Sequence, residues 1–547
     1  MTDRQLNLAD LFEVVVDTLP DREALVAGDQ RRTYRELDDR ANRFANALAD
    51  RGISPGAHVG ILAHNCAEWV EAMIGCYKAR TVPVNLNFRY VAPELRYVVD
   101  NADLEVLVYE RALSPLVAES LAPEAGDDAD TARVPTLLVV IEDGTDGSVA
   151  IDHPVVGFEE ALAAADPDRP TAPRSPDDLY LLYTGGTTGM PKGVMWRQED
   201  IFFAAMGGGG WGQPPITAAE ELAGRMQLDD AFKATMLIVG PLMHGNAQWA
   251  MWNAFMMGGT AVLYTNHRFD PHELWRTVSD EGVLSMALVG DAMARPLAET
   301  LATAAPGTYD TSTLMVIGSG GAMLSVTVRE ELQKQLPGTI IMDRFGSSEG
   351  GASGVVEAGA SGPRFTMNAD TTVLDDDLRP VSPGDGSIGR LAHTGHIPLG
   401  YYKDETKTAA TFPVDPDGVR WSVPGDLASV DDNGTIVIHG RGSASINSGG
   451  EKIFPEEVEA VIKSHPDVFD AIVVGIPDER FGERVAVAVR PQSSAIPVTL
   501  DDLQEHCRSQ IAGYKIPRQL LLVEEVPLTA AGKPDAKEVK ALFAPDD

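Results

Sequence analysis

One segment has the residue types of a phosphate-binding loop: Thr184-Gly185-Gly186-Thr187-Thr188-Gly189-Met190-Pro191-Lys192-Gly193. Its glycines allow a tight loop whose backbone N–H groups can approach a phosphate chain closely. The threonine hydroxyls add hydrogen-bond donors, and Lys192 adds a positive charge. Lys192 is followed by Gly193 rather than by Ser or Thr, so the segment is not a Walker loop. We predict that it binds a phosphate chain; the alternative is an exposed turn with an incidental lysine.

The elements that would position this loop follow from hydrophobic periodicity. Residues 178–184 form a short apolar run, which predicts a strand leading into the loop. Residues 35–49 carry apolar side chains at helical spacing, whereas 58–62 and 105–109 have the composition of buried strands. Helical and strand patterns in alternation indicate an α/β fold with layered parallel sheets.

A second glycine-rich string, at residues 207–212, satisfies the dinucleotide-binding pattern of glycines. No strand pattern precedes it, and Gln213-Pro214-Pro215 stands where a helix would have to begin. We therefore reject a dinucleotide site there and predict a loop or an insertion.

Length and charge limit the classes of function. With 547 residues the chain is too long for one hydrophobic core. Its formal net charge of −37 disfavours nucleic acid and anionic lipid as partners, so any anion site must be a local cluster of Lys, Arg and backbone N–H groups. The three cysteines are too few and too scattered for a disulfide framework. We found no signal-peptide core and no apolar run long enough to span a membrane, and we predict a cytoplasmic protein.

The pattern of the chain changes near residue 440. Residues 440–450 are small and polar, which is typical of a hinge. Beyond them lie a helical pattern at 455–463, a strand at 471–474 and a second helical pattern at 500–511. We predict a large N-terminal adenylation domain at 1–440 with layered sheets, and a small mobile α+β domain at 441–547, with the hinge near 441–447.

From the phosphate loop onward, the motifs together resemble the adenylate-forming superfamily, which includes acyl-CoA synthetases, luciferases and the adenylation domains of peptide synthetases. The resemblance covers nearly the whole chain. Besides the loop, the motifs are Pro241-Leu-Met-His244-Gly245, Gly320-Gly321-Ala322-Met323, Asp343-Arg-Phe345-Gly346-Ser347-Ser348-Glu349, Gly400-Tyr-Tyr-Lys-Asp-Glu-Thr406, Pro424-Gly425-Asp426, Gly440-Arg441, Gly449-Gly450-Glu451-Lys452 and Pro527-Leu-Thr-Ala-Ala-Gly-Lys533.

The resemblance implies that the protein binds ATP, Mg²⁺ and CoA. Phe345 would pack on the adenine, Asp426 would bind both ribose hydroxyls, and Glu349 with Thr188 would hold Mg²⁺, a cation that prefers oxygen ligands. The residues implied in binding ATP or CoA are Thr184, Gly185, Gly186, Thr187, Thr188, Gly189, Lys192, Gly320, Gly321, Phe345, Gly346, Ser347, Ser348, Asp426, Arg441, Gly449, Gly450 and Lys452.

The resemblance also implies four catalytic residues: Lys192, His244, Glu349 and Lys533. Lys533 would contact the carboxylate and a phosphate oxygen during adenylation, and His244 would lie at the acyl pocket. The chain departs from the family at the hinge, where Ser443 and Ala444 replace the usual charged residues, so no single hinge residue is assigned.

The implied reaction joins a carboxylic acid to AMP, releasing pyrophosphate, and then transfers the acyl group to CoA. Strings such as the one around Trp196 and residues 440–452 are similar to actinobacterial synthetases that activate steroid side-chain carboxylates. Medium- or long-chain fatty acids remain an alternative substrate, and loading of a carrier protein or a luciferase-type reaction are more distant ones. A pocket lined around His244, Val289 and Gly320, with Met243, Trp249 and Met323 nearby, would suit an apolar acyl group. A homo-oligomer is compatible with the sequence.

Overall fold

The structure is a computed structural model that describes residues 4–123, 134–146, 149, 151, 153–184, 190–209, 213–227, 234–321, 324, 326–355, 364–366, 370–441, 446–453, 455–463, 465–491, 498–527 and 535–543. Several predicted positions lie outside these ranges: Gly185, Gly186, Thr187, Thr188, Gly189, Met323, Ser443, Ala444 and Lys533.

The helices begin where the sequence offers capping residues and an apolar stripe. The helix predicted at 35–49 spans Tyr34–Asp50, and Thr33 and Glu36 form a capping box at its start. In chain order the helices are α1 (Leu8–Thr18), α2 (Tyr34–Asp50), α3 (Ala67–Lys78), α4 (Ala92–Asn101), α5 (Ser114–Leu121), α6 (Phe158–Ala163), α7 (Gln198–Met206), α8 (Glu221–Gln227), α9 (Gly245–Met256), α10 (Pro271–Asp280), α11 (Gly290–Thr303), α12 (Val326–Gln335), α13 (Glu405–Thr411), α14 (Pro455–Lys463), α15 (Leu500–Arg508) and α16 (Ala536–Leu542).

The strands alternate with these helices through most of the chain. They are β1 (Glu23–Ala27), β2 (Gln30–Thr33), β3 (His58–Leu62), β4 (Val82–Asn85), β5 (Leu104–Glu110), β6 (Leu137–Ile141), β7 (Val155–Gly157), β8 (Leu179–Thr184), β9 (Lys192–Arg197), β10 (Thr235–Ile238), β11 (Thr260–Leu263), β12 (Ser285–Leu288), β13 (Val316–Gly320), β14 (Ile340–Ser347), β15 (Gly351–Val355), β16 (Arg364–Thr366), β17 (Thr371–Leu374), β18 (Gly389–His393), β19 (Gly400–Tyr401), β20 (Asp426–Val430), β21 (Thr435–Arg441), β22 (Ile446–Ser448), β23 (Glu451–Ile453), β24 (Val468–Asp478), β25 (Gly482–Pro491) and β26 (Gln519–Leu522).

The first large sheet has the order β19-β9-β8-β4-β3-β5-β6-β7. Its strands from β8 to β7 run parallel, whereas β9 and β19 are antiparallel at one edge. The strands predicted at 58–62, 105–109 and 178–184 are β3, β5 and β8, so these predictions are confirmed. β3 is buried along its whole length, as expected of a parallel strand covered on both faces.

The second large sheet has the order β15-β14-β13-β12-β10-β11-β1-β2, and it is parallel from β14 to β1. The largest hydrophobic cluster joins both sheets through helices between them, with Trp69 of α3 and Trp252 of α9 fully covered. The glycine-rich segment after α7 begins as a short helical turn at Gly207–Gly209 with no strand before it, which agrees with our rejection of a dinucleotide site.

Two smaller sheets complete the structure. The antiparallel sheet β16-β21-β20-β18-β17 encloses its own apolar cluster. The last sheet, β23-β22-β25-β24 with β26 on β25, carries α14 and α15 in one apolar cluster and α16 in another. The predicted α+β character of the C-terminal part is confirmed. The strand predicted at 471–474 is longer, Val468–Asp478, and the helix predicted at 500–511 ends at Arg508. Among the described residues, no helix combines the length and apolarity needed to span a bilayer.

A buried ionic network joins α1, α2 and α3 on the N-terminal side. The Lys78 ammonium is fully covered and lies 2.6 Å from Glu13 and 2.7 Å from Asp38. Arg174 adds a second cation, 2.9 Å from Glu13. Burial alone would raise the pKa of Glu13, but Lys78 and Arg174 together lower it to about 2. The Glu13 carboxylate is therefore charged in the folded protein at neutral pH.

We expect Lys78→Met to lower the free energy of unfolding by about 3–5 kcal/mol, because it removes the fully buried cation that Glu13 and Asp38 share. Arg35→Gln, which breaks an ion pair with exposed Asp21, is the matched control and should cost less than about 1 kcal/mol. Because the pKa of Glu13 is lowered from 4.5 to about 2, its stabilising contribution is complete above pH 4.5 and is lost as the pH falls towards 2. Denaturant titrations of both variants at neutral and acid pH provide the measurement; equal losses for the two variants would contradict this account of the network.

Candidate active site

The predicted phosphate loop closes a hairpin. Antiparallel β8 and β9 pair Thr184 with Lys192, so the loop connects two adjacent strand ends. The Lys192 ammonium lies 2.6 Å from the Asp404 carboxylate and 5.8 Å from the centre of the Tyr401 ring. Burial alone would raise the pKa of Asp404, but the hydrogen bond from Lys192 and one from the Lys407 N–H lower it. Lys192 is therefore held at the base of the loop by an ion pair.

A cavity of about 250 Å³ opens beside this hairpin, between the two large sheets and the C-terminal β22–β23 turn. Many positions that the sequence singled out line it together: Thr184, Met243, His244, Trp249, Val289, Gly320, Gly321, Phe345, Gly346, Ser347, Ser348, Glu349, Gly450 and Lys452. Lys192, Asp426 and Gly449 are not among the residues that line this cavity. The structure thus brings predicted site residues that are far apart in the sequence, such as Thr184 and Lys452, to the wall of one cavity.

The turn after β14 is held by hydrogen bonds from three other segments. The buried Trp196 indole N–H donates to the carbonyl of Ser348 at 3.0 Å. The Tyr401 hydroxyl donates to Glu349 Oε1 at 2.8 Å, and the Ser422 hydroxyl donates to the Glu349 carbonyl at 2.6 Å. Glu349 therefore presents a positioned carboxylate to the cavity, next to the serine hydroxyls of the same turn. This donor set of hard oxygens fits Mg²⁺.

Phe345 and Asp426 lie on neighbouring sheets. The Phe345 ring stacks on Phe365 with centroids 5.5 Å apart, and it also borders the cavity. Asp426 is buried at the start of β20, where its backbone pairs with that of Arg441. The Arg441 side chain is outside the described part of the structure.

Burial lowers the pKa of nearby His393 to about 4, although Asp426 acts in the opposite direction, so this histidine is neutral at physiological pH.

Two buried asparagines that the sequence analysis did not identify connect the two large sheets. Asn85, the last residue of β4, donates to the carbonyls of Tyr183 (2.8 Å) and Met243 (2.6 Å) and accepts from the Tyr183 N–H (2.8 Å). Asn65, just after β3, donates to the carbonyls of Gly240 and Tyr264, both at 3.1 Å, and accepts from the Leu242 N–H at 2.7 Å. These bonds fix the phosphate-loop strand against the segment that carries His244.

The C-terminal part contributes a glycine turn to the cavity. Gly449 and Gly450 connect β22 to β23 with φ of +59° and +87°, the two positive values that a tight two-residue hairpin turn requires. A Cβ on Gly450 would lie 2.4 Å from Val289 Cγ1, so a side chain would collide with the cavity wall. Glycine is thus needed here both for the turn and for the close approach.

Glu451, next to this turn, docks on the N-terminal part through charge. His244 Nε2 lies 3.2 Å from its carboxylate, and Arg89 forms an ion pair with the same oxygen. Burial alone would raise the pKa of Glu451, but His244, Arg89 and Lys515 together lower it to about 2. A second cross-contact is the buried ion pair between Lys515 and Glu94 of α4, at 2.7 Å. The predicted catalytic histidine is therefore engaged by a residue of the C-terminal part.

The other half of the cavity is mostly apolar and lies between α9 and strands β10, β12 and β13. Met236, Trp249, Ala250 and Ala287 contribute to its wall. Gly318 of β13 leaves this region wide. Within the described part of the chain, a Cβ on Gly318 would meet one heavy atom closer than 4 Å, the Met286 carbonyl oxygen at 3.9 Å. The arrangement can hold an apolar group beside the polar face that carries Glu349.

Two charged residues of the site lie in motifs that the sequence analysis identified, although neither residue was itself predicted to be functional. Asp404 belongs to the Gly400–Thr406 segment, and Glu451 belongs to the Gly449–Lys452 segment. The sequence signal for the asparagines is weaker. Asn65 follows the buried strand β3 and Asn85 ends β4, and binding sites form at the carboxyl edge of such a parallel sheet.

Comparison with known proteins gives two family matches. The model of the AMP-binding enzyme family matches residues 12–402, and that of the AMP-binding enzyme C-terminal domain matches residues 457–533.

Similar curated proteins cover almost the whole chain. A 3-oxocholest-4-en-26-oate–CoA ligase from Rhodococcus rhodochrous is 45% identical, with 98% of this chain and 95% of the relative covered. A medium/long-chain-fatty-acid–CoA/3-oxocholest-4-en-26-oate–CoA ligase from Mycolicibacterium smegmatis is 47% identical, with 98% and 96% covered.

Solved structures share the fold at lower identity. An amide bond synthetase from Marinactinospora thermotolerans has a TM-score of 0.77 at 22% identity, covering 97% of this chain and 99% of its own. An o-succinylbenzoate CoA synthetase from Bacillus subtilis also has a TM-score of 0.77 at 22% identity, covering 97% and 98%. Because the first family model spans well over half of the chain and the curated relatives match it from end to end, the protein is an enzyme that belongs to the AMP-binding enzyme family.

Proposed function

We propose that the protein is an AMP-forming acyl-CoA ligase that activates a hydrophobic carboxylic acid. The observation that carries this proposal is the single cavity that joins Glu349, His244 and Lys452 to an apolar region along α9. An acid bound with its apolar part in that region would place its carboxylate at the polar face. The ligase names of the relatives support the same reaction.

The first half-reaction builds negative charge on phosphoryl oxygens as the carboxylate attacks the α-phosphate of ATP. Loop N–H groups, Lys192 and Lys533 are the stabilising groups of the chain for that charge. Mg²⁺, held by Glu349 and Thr188, would supply further charge compensation for the phosphates when bound. Asp404 positions Lys192, and Phe345, Asp426 and Arg441 would hold the nucleoside.

The second half-reaction transfers the acyl group from the adenylate to the CoA thiol, releasing AMP. We assign the present arrangement to this step, because the Gly449–Gly450 turn and Lys452 lie at the cavity. The 3.2 Å contact between His244 Nε2 and the Glu451 carboxylate, together with the Arg89 ion pair, keeps the turn there. The proposed division at 1–440 and 441–547 falls at the last residue of β21, and the next strand, β22, belongs to a different sheet.

For the acid itself we propose a steroid side-chain carboxylate. The names of both curated relatives contain 3-oxocholest-4-en-26-oate, and the absent side chain at Gly318 suits a wide ring system. Medium- and long-chain fatty acids are the second candidate, because one relative also carries them in its name. The free cysteines Cys66, Cys76 and Cys507 support our placement of the enzyme in the reducing cytoplasm.

We expect AMP and pyrophosphate to form from ATP only when a carboxylic acid is present, and a thioester to form only when CoA is added. The measurement is product analysis over steroid acids, fatty acids and aryl acids, with and without CoA. Formation of ADP would exclude the proposed reaction. Transfer to a carrier protein but not to CoA would favour the carrier-loading alternative.

We expect Glu451→Gln to slow thioester formation more than adenylation, because it removes the charge that docks the glycine turn on His244 and Arg89. Lys533→Ala is the matched variant with the opposite pattern: loss of a charged stabiliser should slow adenylation by about 10²–10³-fold and largely spare transfer from a supplied acyl-adenylate. Single-turnover assays of the two half-reactions measure both effects. If both variants impair the two steps equally, the assignment of the present arrangement to the second step is wrong.

We expect Gly318→Ile to lower kcat/KM for steroid acids by about 10–100-fold, because the new side chain would occupy the wide part of the cavity. For octanoate, which is narrow and flexible, kcat/KM should fall much less. The β-branched replacement suits the strand that it enters, so the fold should be retained. An equal loss for both acids, at unchanged unfolding midpoint, would show that the acyl group does not pass Gly318.

A further inference from the structure

The apolar end of the cavity contains two polar side chains, Asn253 and Ser285. Asn253 belongs to the last turn of α9 and is 5% exposed, and Ser285 begins β12 and is 9% exposed. Both line the cavity, and Met236, the cross-strand neighbour of Ser285, lines it beside them. These two groups are therefore buried against solvent but border the cavity.

Neither side chain forms a hydrogen bond with any other residue in the ranges that the structure describes. Asn85, a buried asparagine on the same cavity wall, shows the contrast, because both its amide nitrogen and its carbonyl oxygen are bonded. Buried polar groups in proteins are nearly always paired, and an exception calls for a ligand or a functional reason. Within the described ranges Asn253 and Ser285 have no protein partner for their side chains, and both open onto the cavity, where a ligand can supply the missing bonds.

Their distance from the reaction face follows from the regular elements that carry them. His244 caps α9, and Asn253 lies eight residues after Gly245, which corresponds to about 12 Å along a helix. Ser285 lies four residues before Val289, which touches the Gly450 turn, and this corresponds to about 13 Å along a strand. Each of the two elements thus carries its polar residue about 12–13 Å along its own axis away from the reaction face.

A ligand oxygen is the group that fits this pair. The asparagine NH₂ and the serine hydroxyl can both donate, and a ketone oxygen has two lone pairs to accept both bonds. A purely hydrocarbon tail that reached this depth would leave both donors without a partner in a dry site, which is costly. The pair therefore discriminates against hydrocarbon ends.

We propose that Asn253 and Ser285 form a specificity subsite for an oxygen at the end of the acid remote from its carboxylate, so that the preferred substrate is an oxo-substituted polycyclic acid. This inference rests on the proposed ligase function and specifies the substrate class of the same site. In this proposal, two residues that take no part in adenylation or thioester formation determine whether oxygenated or hydrocarbon acids are preferred.

The test compares pairs of acids that differ only in the remote oxygen. One pair is a steroid acid with a ring ketone far from the carboxylate and the same acid without the ketone. The second pair is a fatty acid with and without an oxo group at its far end. Thioester formation is measured for all four acids with the wild-type protein and with Asn253→Leu, Ser285→Ala and Met236→Leu, the last as a control from the apolar wall.

We expect the wild type to prefer the oxo member of the steroid pair by about 10–100-fold in kcat/KM, because unpaired buried donors reject the hydrocarbon analogue. Asn253→Leu should bring this ratio close to one, mainly by raising kcat/KM for the acid without the ketone. Ser285→Ala should lower it by roughly tenfold, and Met236→Leu should keep it. Equilibrium binding of the same acids without ATP should show the same order.

A wild-type ratio near one, or a ratio that survives in both polar variants, would overturn the subsite. The wild-type comparison decides even if Asn253→Leu does not fold. If steroid acids give no thioester but fatty acids do, the proposed steroid assignment fails, and the fatty-acid pair then tests the subsite independently. If no acid gives a thioester, the ligase proposal itself fails, and the order of binding affinities still decides whether the pair recognises an oxygen.

Discussion

The site depends on the contact between the carboxyl edges of two parallel sheets, which Asn65 and Asn85 hold together. All three bonds of Asn65 go to backbone atoms of the facing layer, whereas Asn85 bonds the backbone of Tyr183 in its own sheet and the Met243 carbonyl of the facing layer. Fully satisfied buried amides are rigid connections, because losing a bond would leave a polar group unpaired. The phosphate-loop strand and the segment before α9 emerge at this contact, so their relative position is set before any substrate binds.

A strongly acidic protein must concentrate positive charge to bind anions. Here Lys192, Arg89 and Lys515 stand near the cavity, each already paired with a carboxylate. Two of these pairs connect the C-terminal part to the N-terminal part, and the pKa of Glu451 is lowered because several cations surround it despite its burial. The cations that stand near the cavity therefore also decide where the C-terminal glycine turn docks.

Two features shape the apolar half of the cavity: the absent side chain at Gly318, and the polar side chains of Asn253 and Ser285. Gly318 leaves space where another residue of β13 would fill it, and Asn253 with Ser285 leaves hydrogen-bonding capacity at the far end. Apolar area alone separates similar acids weakly, since a methylene is worth only about 1–3 kcal/mol in a pocket. Width and unpaired polar groups discriminate more strongly, because a wrong substrate then incurs a clash or an unsatisfied donor.

The sequence by itself determined the local elements and the identity of the family. Strands 58–62, 105–109 and 178–184 and the helix at 455–463 follow from periodicity and flanking residues, which are properties of neighbouring positions. The motifs likewise predicted Glu349, His244 and Lys452 as site residues from the sequence alone. Only the tertiary structure decided that Asp404 pairs with Lys192, that Glu451 meets His244, and that Asn253 and Ser285 line one cavity. The order of strands in each sheet sets these distant contacts, and no local pattern encodes that order.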